Sequence, residues 1–295
     1  MARRKKKPSL LLMLIVVILL AVGAWRSGLL ETVREYAPVE GTLEVHIVDV
    51  AQADCTLIVG ASGNILIDAG DTETADEVAL YLREVGITKL EYAIFTHPDA
   101  DHIGGAATVI ESFDVANVIL PDLHESDVPT TKVYEKMITA LENKPETSVI
   151  AAEPGAEYTI GELKMKILAP LSDNYTNIND YSVAVRFDFG ATSFLFTGDA
   201  LDKAEGEMLN RYPASELHAD FFQAGHHGAK NANTLDFVRA VSPSIVAVSC
   251  GKDNKYGHPT EEALASFAAV KATVYRTDEL GTMIFISNGE EITKQ

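Results

Sequence analysis

Cysteine is nearly missing from this chain: two residues, Cys55 and Cys250, in 295. Two thiols cannot form a disulfide framework. Each lies in an apolar strand-like run, Cys55-Thr-Leu-Ile-Val and Ile245-Val-Ala-Val-Ser-Cys250, where cysteine behaves as a small buried hydrophobe; the residues leave open whether the two pair. No cysteine ends the N-terminal apolar run, which excludes a lipidated N-terminus. Basic residues are scarce as well. Five of the 24 Lys and Arg, Arg3 to Lys7, form one N-terminal cluster, so 19 others face 43 Asp and Glu. Affinity for long nucleic acid rests on Lys and Arg that neutralise phosphates, so this balance is a poor footprint for non-specific binding, although bound divalent cations can supply positive charge locally. Low-complexity tracts and domain-sized linkers are absent too.

Long apolar runs are limited to one, residues 9–25. Following the basic cluster, it predicts a secretory signal or signal anchor over residues 1–30, at the short end of membrane-spanning length, with Val22-Gly23-Ala24 as an acceptable cleavage site. The expectation is an extracytoplasmic protein, either secreted or held at the cell membrane by this segment if it is uncleaved. No protein partner is inferable. Residues 31–42, with Pro38, read as a linker, and residues 43–295 as one domain. The hydrophobic fraction, 47%, is that of an ordinary globular core.

Strand-like runs over residues 43–50, 55–59 and 64–68 follow one another across Gly60 and Gly63. Residues 74–84 place apolar side chains at helical spacing, and Gly86 is a plausible stop. A strand over 90–95, a helix over 102–112, a strand over 115–120 and a helix over 131–141 complete the first half. The second half repeats the theme with hairpins over 158–168 and 182–196, helices over 200–209, 234–241 and 261–269, and strands over 221–224, 245–249, 273–275 and 282–286. Periodicity supports one domain of α/β or α+β class. Two β-rich halves, each with helices outside, suggest a four-layer αββα sandwich with a site at the seam.

The most informative segment is Thr96-His97-Pro98-Asp99-Ala100-Asp101-His102, directly after the apolar Tyr92-Ala93-Ile94-Phe95 and before Ile103-Gly104-Gly105. A turn at a strand end spreads His97, Asp99, Asp101 and His102 around a common centre. Neutral imidazole and carboxylate are the ligand types for divalent zinc, manganese or iron. Ligand-type residues recur just past other apolar runs: Asp68 and Asp71, Asp199, His226 and His227, and His258. Singly, each has an ordinary explanation as a turn or helix cap. Together they hold, with the first loop, five of the eight histidines.

At these residues the chain resembles the metallo-β-lactamase superfamily, whose signature is a strand-end Asp, a His-x-His-x-Asp-His loop, a further His, a Thr-Gly-Asp and a late His. Asp68, the His97–His102 loop and Thr197-Gly198-Asp199 match, with Asp99 standing where the superfamily usually has its second His. That replacement, with Asp49-Val50-Ala51-Gln52-Ala53-Asp54, Asn179-Asp180-Tyr181-Ser182, His226-His227-Gly228, Asn254-Lys-Tyr256-Gly-His258-Pro259 and Tyr275-Arg276-Thr277-Asp278, is similar to the extracytoplasmic hydrolase domain of the ComEC competence family and its free-standing relatives. The resemblance covers residues 43–292. Ala51 and Ala53 replace both glycines of the family's turn, so a backbone relying on positive φ is expected to adjust. Ala229 replaces a serine hydroxyl. The family's many channel helices are not matched, so channel function is not implied.

The resemblance implies a four-layer metallo-β-lactamase fold and an exported metal-dependent hydrolase of phosphodiesterase or nuclease type. One divalent ion is assigned to His97, Asp99 and His226, a second to Asp101, His102 and His258, and Asp199 bridges them. A metal-bound hydroxide is the expected nucleophile, with Asp101, Asp199 and His258 as the catalytic set. Asp68 is expected to orient a ligand histidine; Asp180 is a ligand or proton shuttle; His227 is assigned no definite place. Lys252, Asn254, Tyr256 and Arg276 are candidate contacts for an anionic substrate, either a small phosphodiester or single-stranded nucleic acid. Asp99 makes the site harder and shifts the balance toward Mn2+ relative to Zn2+. The alternatives are a carbonyl-directed hydrolase (lactonase or β-lactamase) and a non-catalytic binding module.

Overall fold

The computed structural model describes residues 38–295. The signal or anchor expected over residues 1–30, and most of the linker, lie outside the described residues. Among those described, no helix is long and apolar enough to cross a membrane.

Alternating strands and helices fold into two sheets. The first half contributes β1 (Leu43–Ile47), β2 (Thr56–Gly60), β3 (Gly63–Ile67), α1 (Ala75–Val85), β4 (Lys89–Ile94), α2 (Ala106–Ser112), β5 (Asp114–Leu120), α3 (Lys132–Glu142) and β6 (Ser148–Ala151). The second contributes β7 (Glu157–Ile160), β8 (Leu163–Ala169), β9 (Ala184–Phe189), β10 (Thr192–Phe196), α4 (Asp202–Arg211), β11 (Phe221–Gln223), α5 (Leu235–Val241), β12 (Ile245–Val248), α6 (Glu261–Ala269), β13 (Thr273–Arg276), β14 (Met283–Ser287) and β15 (Ile292–Lys294). One sheet has the order β15-β14-β1-β2-β3-β4-β5-β6, the other β13-β12-β11-β10-β9-β8-β7. Thus β14 and β15, last in sequence, complete the sheet of the first half by pairing β14 antiparallel with β1.

Side-chain alternation builds the layers. On β1, Leu43, Val45 and Ile47 point into the seam between the sheets, where Phe187, Phe194, Phe196, Phe221 and Phe285 fill the centre. The opposite face carries Glu44 and His46, paired with each other at 3.0 Å, and the His46 ring meets the Tyr81 hydroxyl of α1 at 2.8 Å. A second apolar layer joins the first sheet to α1, α2 and α3, and a third joins the other sheet to α4, α5 and α6. The expected αββα sandwich is therefore the observed fold.

Local chemistry explains the helix limits. The α1 helix has Asp76 and Glu77 in its first turn and Arg83 in its last, in line with the helix dipole, and stops where Gly86 adopts φ 87°. The helix expected over 102–112 is split into a turn, Ala100–Ile103, and α2. Gly104 and Gly105 lie between, because the neighbouring loop approaches there: a Cβ would sit 2.1 Å from Thr72 N at Gly104 and 2.3 Å from Ala69 O at Gly105. The parallel pairs β3–β4 and β10–β11–β12 put several strand ends at one edge, where α/β folds place their ligands.

Candidate metal centre

Four strand ends and one loop deliver the candidate ligands. Asp68 follows β3, His97 follows β4, Asp199 follows β10, and His226 and His227 follow β11. The two sheets are joined just beneath: Thr56 Oγ1 donates to Gln223 Oε1 at 2.7 Å, and the Val183 N–H to Thr96 O at 2.8 Å. The Thr-Gly-Asp turn passes close to the end of β4, since a Cβ on Gly198 (φ 51°) would lie 2.7 Å from Thr96 Cβ. Ser182 Oγ accepts the Asp199 N–H at 3.0 Å.

Asp199 is central. Its Oδ1 lies 3.2 Å from His102 Nε2, and its Oδ2 lies 3.9 Å from His97 Nε2 and 3.6 Å from His226 Nε2. Asp99 Oδ2 stands 3.7 Å from His97 Nε2 on the exposed side. On the other flank, Asp101 Oδ2 lies 3.4 Å from His227 Nε2. Among the described residues, the donor atoms close into three groups: His97, His102 and Asp199; Asp101, His102 and His227; Asp54, Asp68 and His102. His227, given no definite place by the sequence, meets Asp101, while the expected ligands Asp99, His226 and His258 lie beside these groups without joining them. His226 and His227 both adopt left-handed conformations (φ 49° and 54°), and their imidazoles reach different carboxylates.

Two carboxylate–histidine pairs fix the proton positions. Asp68 Oδ2 lies 2.7 Å from His102 Nδ1 and accepts the Thr96 hydroxyl at 2.7 Å, while Oδ1 accepts the Thr96 N–H at 2.8 Å. A carboxylate only accepts, so Asp68 keeps a proton on His102 Nδ1, and Nε2 is the nitrogen turned toward the centre. His227 Nδ1 likewise faces the Ser249 carbonyl at 3.1 Å and Asp54 Oδ1 at 3.3 Å, leaving Nε2 toward Asp101. In the sequence Asp54 stands only as part of a turn motif. Its signal was the recurring Asp beside an apolar strand start, and its histidine partner lies too far along the chain to be read from spacing.

Charge coupling within this buried set is strong. Burial alone would lower the pKa of His102, but Asp199 and Asp68 outweigh it and hold the imidazole well above its ordinary value. Burial would also lower His227, and Asp54, Asp199 and Asp101 raise it well above that value. Asp199 is held well below the carboxylate range against burial by His102, His227 and His97. His258 is pushed down to about 4 by burial and by its neighbours His227 and His226.

Several buried polar atoms of the cluster make no hydrogen bond of good geometry: His97 Nε2, His102 Nε2, His227 Nε2, His226 Nδ1, Asp199 Oδ1 and Asp54 Oδ1. Orphaned buried donors and acceptors are rare in native proteins, and a concentration of them requires an explanation. Imidazole and carboxylate atoms converging without partners fit divalent metal ions.

The remaining expected residues are placed as follows. Asp180 Oδ1 accepts the N–H groups of Leu201 and Ala204, so it braces the start of α4 and joins none of the ligand groups. Asn254 ties its loop together through Gly251 O, His258 O and the His258 N–H. Arg276 is held by Asp278 at 2.6 Å and Glu279 at 3.3 Å. Lys252 is exposed, and Tyr256, 58% exposed, stands with its ring centroid 5.5 Å from that of His258. Gln52, which stands in the sequence only as part of the same turn motif, accepts the Gly251 N–H on Oε1, which turns its amide nitrogen to His258 Nδ1 at 3.5 Å. Both cysteines are buried free thiols; Cys250 is pushed up to about 12 by burial and by Asp278. The turn holding Ala51 does not adjust as expected. Ala51 keeps a left-handed φ of 59°, whereas Ala53 is not among the positive-φ residues.

Comparison with known proteins agrees with this geometry. The family profile of the metallo-beta-lactamase superfamily matches residues 48–252. The chain is 28% identical over 259 residues to ComE operon protein 3 of Bacillus subtilis, covering 81% of this chain and 32% of that protein. It is 25% identical over 271 residues to competence protein ComA of Neisseria gonorrhoeae, covering 90% and 36% respectively. The chain thus spans about a third of the length of these relatives. Among solved structures, the metallo-beta-lactamase fold protein YhfI of Bacillus subtilis superposes with a TM-score of 0.54 at 14% identity, over 83% of this chain and 99% of that one. With the fold, the clustered donors and the profile match in agreement, this chain belongs to the metallo-β-lactamase superfamily and is similar over most of its length to competence proteins.

Proposed function

We propose that this protein is an extracytoplasmic metal-dependent phosphodiesterase of nuclease type. The observation that carries the reading is the set of partnerless buried atoms on His97, His102, His227 and Asp199, drawn from separate strand ends into one place. Two divalent ions bound there would supply Lewis acidity, activating water and neutralising charge on the phosphoryl oxygens. His97, Asp99, His226 and Asp199 would hold one, and Asp101, His102, His227 and Asp199 the other.

The chain's own groups do the rest. Asp68 and the Asp54–Ser249 pair keep protons on Nδ1 of His102 and His227, so the Nε2 atoms stay available. Gln52 donates to His258 Nδ1, which leaves the proton of this neutral ring on Nε2, able to donate to a substrate oxygen at the mouth. Lys252, Lys255 and Tyr256 line the same loop. They suit a phosphate and an adjoining base, whereas the acidic remainder of the surface disfavours a long duplex. Likeness to competence proteins supports a nucleic-acid substrate. The basic cluster and apolar run of residues 3–25 support export.

The test supplies Mn2+ and Zn2+ separately to the chelator-stripped full chain and measures cleavage of single-stranded DNA, double-stranded DNA, bis(4-nitrophenyl) phosphate, a chromogenic β-lactam and a lactone. Metal-dependent cleavage of the diester and of single-stranded DNA is expected. Turnover of only the lactone or β-lactam would transfer the site to carbonyl chemistry.

A further inference from the structure

Outside the metal cluster, Glu205 is the most buried carboxylate among the described residues, 1% exposed. It lies on α4, the helix that leaves the Asp199 loop. Its Oε1 accepts the Asn233 N–H at 2.6 Å and its Oε2 accepts the Thr234 N–H at 2.9 Å. Asn233, held at φ 59°, clamps the double-histidine turn at both ends. Its side-chain oxygen accepts the Gly225 N–H at 2.9 Å, and its amide donates to Gly225 O at 2.8 Å and Ala229 O at 3.5 Å. The circuit closes through the His226 N–H, which donates to Gly198 O, beside Asp199, at 3.0 Å. A neutral side chain would fill the same space without the cost of burying a carboxylate, so this one is retained for its two acceptors.

We propose that Glu205 is a positioning residue of the metal centre, setting through Asn233 the separation between Asp199 and the imidazoles of His226 and His227. The inference rests on the metal-centre reading. Every link in it is a hydrogen bond with one donor and one acceptor, and none of the linking side chains is itself a ligand. The two successive left-handed residues His226 and His227 need external restraint, which the circuit provides.

Two variants test it in the full chain. Glu205→Gln replaces one of two acceptors by an amide donor. Asn233→Gly suits the left-handed backbone and keeps the N–H to Glu205, while deleting the clamp. In chelator-stripped protein, hydrogen exchange at the Gly225 and His226 amides should quicken at least about tenfold in both variants, with β2, β3 and β9 unchanged. Affinity for Zn2+ and Mn2+, measured by competition with a chromophoric chelator, should fall about tenfold. Adding Glu205→Gln to a His226→Ala protein should then lower affinity by clearly less than the tenfold seen in the wild-type background, because only the His227 arm of the coupling remains. Unaltered exchange in Asn233→Gly, or a full additional loss of affinity in the His226→Ala background, overturns the proposal. A wild-type protein that binds neither ion refutes the metal reading instead, and the exchange result still decides the wiring.

Discussion

Asp68→Asn changes one atom, yet it should remove much of the metal affinity. Asparagine tolerates the left-handed φ of 57° at this position, so backbone strain is unchanged. The carboxylate accepts three hydrogen bonds, from the Thr96 N–H, the Thr96 hydroxyl and His102 Nδ1, at 2.7 to 2.8 Å. An asparagine oxygen can keep the Thr96 N–H, but its amide nitrogen then faces His102 Nδ1. That nitrogen must accept, so the ring proton moves to Nε2, the atom aimed at Asp199 Oδ1. A protonated Nε2 cannot ligate, and the tautomer has to be reversed at the cost of a buried donor–donor clash. Loss of such an orienting carboxylate weakens metal binding about 10- to 100-fold, or about 1.4 to 2.7 kcal/mol. Competition with a chromophoric chelator reads this directly, and melting of the stripped protein checks the fold. Wild-type affinity in the folded variant would refute the assigned tautomer and the orienting role of Asp68.

Other consequences are as specific. Ala51→Gly should stabilise the stripped protein by about 1 kcal/mol in urea unfolding, because Ala51 holds a left-handed φ; destabilisation would show that the strain is not there. Burial pushes Glu205 up to about 7, with Asp202 adding to it against the N–H groups of Thr234 and Asn233. A carboxyl raised from 4.5 holds its proton longer in the native state, so its contribution to stability is present at low pH and is lost as pH rises through about 7. Unfolding of stripped protein across about pH 4.5 to 7 should show a wild-type decline of about 3 kcal/mol relative to Glu205→Gln; parallel profiles would contradict the assignment. Tyr256→Ala should raise KM for single-stranded DNA about tenfold with kcat nearly unchanged, and leave a small diester unaffected, if bases stack on that ring.

The four-layer arrangement was legible because alternating and helical apolar periods are strong over strands such as β8 and helices such as α1. The short edge strands β6 and β15 were not, since their side chains are largely exposed and carry no alternation. Residues that follow an apolar run, such as His97 and Asp199, could be read as strand-end groups directly. The partner choice of His227 could not, because it depends on two successive left-handed residues that no period encodes. Asp54, Gln52 and Glu205 act on partners 173, 206 and 28 residues away (His227, His258 and Asn233), across sheets and helices. Ala51 shows the converse: the missing glycine argued for a changed turn, and Ala51 takes the left-handed φ all the same.

The central claim is that the partnerless atoms of this cluster exist to hold catalytic divalent ions. It is tested most directly by measuring ion content and phosphodiester turnover together, in the wild-type full chain and in Asp199→Ala. The account predicts two ions per wild-type chain, turnover abolished by chelation and restored by Mn2+ or Zn2+, and an Asp199→Ala protein that folds but lacks metal-dependent turnover. A folded wild-type protein that retains no divalent ion when Mn2+ or Zn2+ is supplied, or turnover that survives both chelation and loss of Asp199, would contradict it.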